Sequence, residues 1–170
     1  MMRLFCFPFA GGSKYSFVEF EKKCPKNLEL FPIDYPGRGA RFQETLLTSM
    51  EDLVEDAFEQ IKGHLNQPFA FYGHSMGTVV AVLLYWKLKE AKLPLPRHLY
   101  LSGRGGPATE NTDRDWHKLP QQAFYEKLKV LGGSPKEVLE DARLMEIIEP
   151  IVRADFQAIE SFTYARVESS

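Results

Sequence analysis

Two cysteines in 170 residues, with no CxxC spacing and no histidine beside either, exclude a disulfide framework and a thiolate metal site. Cys6 lies in an apolar run and Cys24 stands just before Pro25, which reads as two buried or half-buried thiols in a reducing cytoplasm. An excess of charge of one sign is also lacking. Against 23 Asp and Glu stand 21 Lys and Arg, a net charge of −2 with the basic residues scattered, so no electrostatic footprint for nucleic acid exists. No apolar run approaches the roughly 20 residues of a membrane span, and no membrane partner is expected. The short apolar run 4–10 after Arg3 is broken by Pro8 and passes into Gly11-Gly12-Ser13, so it reads as a strand rather than a signal peptide. Internal repeats and low-complexity tracts are missing as well. Apolar residues, in contrast, make up 44% of the chain and aromatic ones 13%, enough to bury the core of one globular unit.

The elements alternate along the first hundred residues. Residues 4–7 read as a strand and 8–14 as a glycine-containing loop. The stretch 15–23, with Phe17 and Phe20 three apart, reads as a short helix ended by Pro25, and 28–33 as a strand. A loop over 35–43 is punctuated by Pro36, Gly37 and Gly39. Thr48 and Glu51 have capping-box spacing, and Met50, Leu53, Val54, Ala57, Phe58, Ile61 and Leu65 recur at helical intervals behind them. A strand over 69–72, a helix over 76–92 and a strand over 98–101 complete a parallel sheet with crossover helices, an α/β fold. From Gly103 the texture changes. A polar, glycine-rich linker over 103–112 leads to helical patterns at 121–131, 134–143 (a second capping-box spacing, Ser134 to Glu137) and 144–164. Breaks are expected at Gly132-Gly133 and at Pro150.

The segment FAFYGHSMGTVVAVLLYWKL, 69–88, places a serine at the apex of a strand-to-helix turn: four apolar residues precede Gly73, and a long, nearly all-apolar segment follows Gly77. GHSMG fits the G-x-S-x-G nucleophile elbow, in which a strained turn pushes the serine hydroxyl out above the sheet. The bare pattern arises by chance in roughly one chain of this length in twenty; the buried strand before it and the buried helix after it make it specific. Ser75 would then be a nucleophile at the start of a helix whose N–H groups face any negative charge formed beside it. Such a serine needs an oxyanion hole. The N–H of Met76 and one from the loop Phe9-Ala10-Gly11-Gly12-Ser13 are the candidates.

FPFAGGSKYSF near the N-terminus, DYPGRGARF after the second strand, GHSMG, the LGG of the helical part and the closing RADFQAIESFTY together resemble the type II thioesterases, α/β-hydrolases that work beside nonribosomal peptide and polyketide synthases in antibiotic biosynthesis. The resemblance covers nearly the whole chain. It implies hydrolysis of acyl groups held as thioesters on the phosphopantetheine arm of an acyl- or peptidyl-carrier protein, for editing or release. It also implies Ser75 as nucleophile, the N–H groups of Ala10 and Met76 as oxyanion hole, no cofactor and no metal. The strand order it implies is 28–33, 4–7, 69–72, 98–101, with helices on both faces and a helical lid over 107–165. Arg38 and Arg41 read as solvated side chains on a loop fixed by Pro36 and Gly37.

Family members carry two further strands after RADFxxxExY, with the triad acid after one and the histidine after the next. Residues 1–170 are therefore expected to be a single truncated α/β-hydrolase domain. Of the histidines present, His98 stands at the wrong end of its strand, His64 near the end of a surface helix, and His74 beside the serine on a diverging turn. His117 reads as a solvated residue of the lid. Asp113 and Asp115 could stand where some relatives carry their acid. Three functions remain open: a thioesterase, a non-catalytic module binding acyl chains or carrier proteins, and a serine hydrolase of another ester. The 98–101 strand is expected to be an exposed edge prone to self-association.

Overall fold

A computed structural model describes residues 1–105 and 115–163. Residues 106–112 of the expected linker, Asp113, and the end of the last helical pattern at Tyr164 lie outside the described residues.

Four parallel strands form one sheet: β1 (Met2–Phe7), β2 (Leu28–Pro32), β3 (Phe69–His74) and β4 (Leu99–Ser102). Their order is β2-β1-β3-β4, the order the resemblance implies. Register sets Phe5 beside both Phe31 and Phe71, and Cys6 beside Pro32 and Tyr72. Alternation then sorts the side chains. Phe5, Phe7, Phe69 and Phe71 point to one face, where edge-to-face ring pairs such as Phe7 with Phe71 at 5.2 Å fill the main core. Helices α2 (Met50–Ile61) and α3 (Met76–Glu90) cover that face through Leu53, Ala57, Ile61, Val80, Leu84 and Leu88. On the other face Tyr72 meets the rings of Phe17 and Phe20, carried by a 3-10 turn (Lys14–Phe17) and helix α1 (Val18–Lys23). Cys6 is buried and Cys24 half-buried, both as free thiols. Burial pushes the Cys6 thiol up to about 12, so it is protonated and inert.

Two expected helix starts shift. The cap of α2 is Ser49, whose hydroxyl accepts the Asp52 N–H at 3.1 Å, one residue beyond the expected Thr48. Ser134 caps nothing, because α5 (Lys136–Leu139) starts from Pro135, whose fixed φ of −57° leads into the helix. Helix α4 (Gln121–Leu131) ends at Gly132, where φ is +67°, as the sequence suggested. Pro150 divides nothing: α6 (Ala142–Ser161) runs through it. An internal proline removes the bond to the Glu146 carbonyl and costs about 3 kcal/mol. Burial on both sides of it offsets that cost. Met145 and Val152 join Phe124, Leu128 and Leu139 in a second core, while Ala158 and Ile159 enter the main one. Helix α6 thus belongs to both clusters and ties them together. Among the described residues no helix is long and apolar enough to cross a membrane, and no group of side chains could hold a metal ion.

Candidate active site

Strand β3 passes into α3 through a single residue, Ser75, at φ 52° and ψ −113°. A non-glycine residue held there stores on the order of 1–3 kcal/mol of strain, which the surroundings must impose. They do so by close approach. A Cβ on Gly73 would overlap the Gly77 carbonyl, and one on Gly77 would overlap the carbonyl of Phe7 at the end of β1. The two glycines of G-x-S-x-G therefore let α3 sit directly on the tips of β1 and β3. Ser75 N–H donates to the Ser102 carbonyl at 2.9 Å, and the Thr78 hydroxyl donates to that carbonyl at 3.1 Å, bracing the turn against β4. Gly77→Ala is expected to cost more than about 3 kcal/mol of stability, because a carbonyl cannot yield as a side-chain tip can. Gly63→Ala, with nothing near its Cβ, should cost far less. Urea midpoints check both. A Gly77→Ala protein as stable as the parent would sink this account of the elbow.

The loop after β1 is a turn closed by Gly12 N–H on the Phe9 carbonyl at 2.8 Å. Gly11, at φ +81°, donates its N–H to Asp155 Oδ2 at 2.7 Å. Two of the loop's donors are thus consumed, whereas among the described residues the Ala10 N–H meets no acceptor. Ala10 and Ser75 line one cavity of about 230 Å³, walled on the far side by Leu128, Leu131, Val152 and Phe156 of α4 and α6. Met76, buried, is the first residue of α3, and helix geometry leaves its N–H without an intrahelical partner.

All four histidines are described, and none of them bonds the Ser75 hydroxyl. His74 Nδ1 lies 2.9 Å from Ser102 Oγ, with its ring edge-on to Phe9. The His64 ring packs on Phe31 at 4.9 Å, and His98 precedes β4 at the end of the sheet away from Ser75. His117 departs from the solvated residue expected. Its Nδ1 pairs with Glu160 Oε2, and Glu160 Oε1 accepts the Trp116 N–H at 2.9 Å. Asp115 forms an exposed pair with Lys118 at 2.9 Å.

The arginines of DYPGRGARF correct the sequence reading further. Arg38 is 2% exposed and Asp155 0%, and the two form a buried, two-pronged ion pair. Arg41 is held by Asp56 at 2.7 Å and by Glu44, which raise its guanidinium pKa further. Charged residues in a glycine-rich loop read as solvated because burying an ion is costly. The sequence held one signal to the contrary, the aspartate of RADF, but nothing in it linked position 155 to position 38.

Comparison with known proteins places this geometry. Gramicidin S biosynthesis protein GrsT of Aneurinibacillus migulanus is 40% identical over 167 residues, 98% of this chain and 65% of its own. ClbQ, from the colibactin NRPS/PKS pathway, superposes with a TM-score of 0.91 at 30% identity, over 99% of this chain and 71% of its own. BorB, the type II thioesterase from the borrelidin biosynthetic cluster, superposes with a TM-score of 0.85 at 29% identity, over 96% of this chain and 66% of its own. The chain spans less than two thirds of the length of the curated relatives it matches, 65% in the case of GrsT and 58% for the thioesterase PikA5 of Streptomyces venezuelae. Residues 2–169, nearly the whole chain, match the family model described as the thioesterase domain: the chain belongs to that family.

Proposed function

We propose that this chain is the elbow-bearing part of a type II thioesterase that removes acyl groups from the phosphopantetheine thioesters of carrier proteins in nonribosomal peptide or polyketide synthesis. One observation carries the reading: Ser75 and Ala10 line a single cavity whose far wall is apolar and helical. An acyl chain fits such a wall. The Ser75 hydroxyl attacks the thioester carbonyl, and the N–H groups of Ala10 and Met76 stabilise the negative charge that develops on its oxygen. The pantetheine sulfur leaves with the bonding pair, and water then releases the acid from the serine ester. Of the lid expected over 107–165, the described helices α4 to α6 cover the acyl chain, while 107–114 and 164–165 lie outside the described residues. The free thiols of Cys6, buried, and Cys24, half-buried, fit a cytoplasmic setting.

The general base and its acid come from the family's later strands and not from residues 1–170. In support, no described histidine bonds the Ser75 hydroxyl, and each has another neighbour. That same observation favours a second reading, in which this chain binds acyl-carrier thioesters without hydrolysing them.

The test is acyl-pantetheine hydrolysis by purified residues 1–170 beside the Ser75→Ala variant. With the hole present and the base absent, release of acid is expected at no more than about 10³–10⁴ times the rate in water, nearly the same in both proteins. A large serine-dependent rate would show that a histidine of this chain serves as base. Tight binding with no release would favour the second reading.

A further inference from the structure

Asp155 stands on α6 between two residues of the cavity wall, Val152 and Phe156, and its donors come from loops distant in sequence. Arg38 Nη1 donates to Oδ2 and Nη2 to Oδ1, the latter at 2.8 Å. Gly11 N–H adds a third bond to Oδ2, at 2.7 Å. A buried ion pair of this kind is weak grounds for stability, because desolvation offsets its attraction; its worth lies in what it fixes. What it fixes is the turn Phe9–Gly12. Gly12 N–H closes that turn, Ala10 and Gly11 are its central residues, and only Gly11 of the two has positive φ. This is the type II arrangement, in which the peptide between the central residues is flipped relative to type I. The N–H of that flipped peptide is the one Asp155 holds. Three residues earlier on α6, Val152 presses on the same glycine: a Cβ on Gly11 would lie 2.7 Å from Val152 Cγ2.

Resting on the thioesterase reading above, we propose that Arg38 and Asp155 are positioning residues for the oxyanion hole. Through them helix α6 ties down the turn at Gly11, the residue next to Ala10, and so holds in place the loop that carries the Ala10 N–H. Asp155 supplies the acceptor. Arg38, which also lies over the Tyr35 ring at 5.5 Å, holds that acceptor in place with two hydrogen bonds. The wall of the acyl cavity and the site that binds the developing charge are then one mechanical unit, since Val152 and Phe156 flank Asp155 on α6 and line the cavity.

Two double variants separate positioning from packing. Arg38→Met/Asp155→Leu removes both charges and the acceptor. Arg38→Met/Asp155→Asn removes both charges but leaves Gly11 a carbonyl oxygen. Amide exchange at Gly11, read by NMR in residues 1–170, should accelerate in the first variant by about 10–100-fold relative to the β1 amides, the value of one charge-assisted bond. In the second it should stay within about threefold of the parent. The residual hydrolysis of acyl-pantetheine, which the hole sustains, should fall in the first variant by on the order of 10²-fold in kcat with KM little changed, and largely recover in the second. Unchanged Gly11 protection in the first variant, or parental kcat in a protein that has lost that protection, overturns the proposal. If the parent itself hydrolyses nothing above water, the thioesterase reading fails, and Gly11 exchange still decides whether the pair sets the loop. If the first variant unfolds, the second decides: loss of Gly11 protection there, with β1 intact, overturns the proposal.

Discussion

Joining residues 1–170 to the family's later strands is expected to raise acyl-pantetheine hydrolysis by about 10²–10⁴-fold, the range a positioned general base contributes. Ser75→Ala in the longer chain should remove the gain. The argument starts at the elbow. Ser75 stands at the cavity beside Ala10, at the N-terminal end of α3, in a backbone conformation that only close packing sustains. A serine so presented is a weak nucleophile until a base takes its proton. The nearest imidazole in sequence, His74, is already engaged with Ser102, and His117 is engaged with Glu160. Parallel assays of the longer chain with and without Ser75 are the measurement. A gain that survives Ser75→Ala would remove this residue from the chemistry and leave the elbow a purely structural turn.

Residues 1–170 by themselves should self-associate. Among the described residues β4 is an outer strand of the sheet, and its three apolar residues stand open: Leu99 is 36% exposed, Tyr100 50% and Leu101 41%. Trp86 of α3 is 40% exposed as well. Unpaired backbone groups flanked by apolar side chains form a template for another strand. Each such side chain is worth about 1.5–3 kcal/mol on full burial, a substantial share of a domain's total of about 5–15 kcal/mol. The opposite edge is better protected, since every residue of β2 is half-buried and the strand ends in Pro32. Size-exclusion chromatography should give a dimer or larger species with a broad thermal transition, and Leu101→Lys should shift it toward monomer. A monodisperse monomer with a sharp, cooperative transition would show that four strands suffice.

The sheet was legible because its strands are short apolar runs bounded by Gly, Pro and Asn, and because parallel strands must alternate with helices. The elbow was legible because close backbone approach demands glycine, and glycine at fixed spacing leaves a mark in a sequence. Partnerships between charged side chains left none. Arg38 with Asp155 and His117 with Glu160 join positions 117 and 43 apart, and no periodicity records which charge a fold will bring to which. Pro150 misled for a related reason. Its local cost is visible in the sequence, whereas the burial of α6 against two clusters that offsets it is not. The shifted cap of α2 reflects a tie between neighbouring hydroxyls, Thr48 and Ser49, that only the loop's path into the helix breaks.

The bond between Gly11 and Asp155 spans 144 residues, and this separation has a consequence during synthesis. The elbow and the glycine loop both lie within the first 77 residues, so the sheet that carries them can begin to form early. At translation rates of about 5–20 residues per second, Gly11 then waits roughly 7–30 s for its acceptor to be made. Through that interval water solvates its N–H and the Arg38 guanidinium, and the turn is free to sample the unflipped peptide. A nascent chain on the ribosome therefore presents the elbow serine beside a loop that is not yet tied down. The loop is fixed only once α6 has been made and Asp155 reaches Gly11 and Arg38.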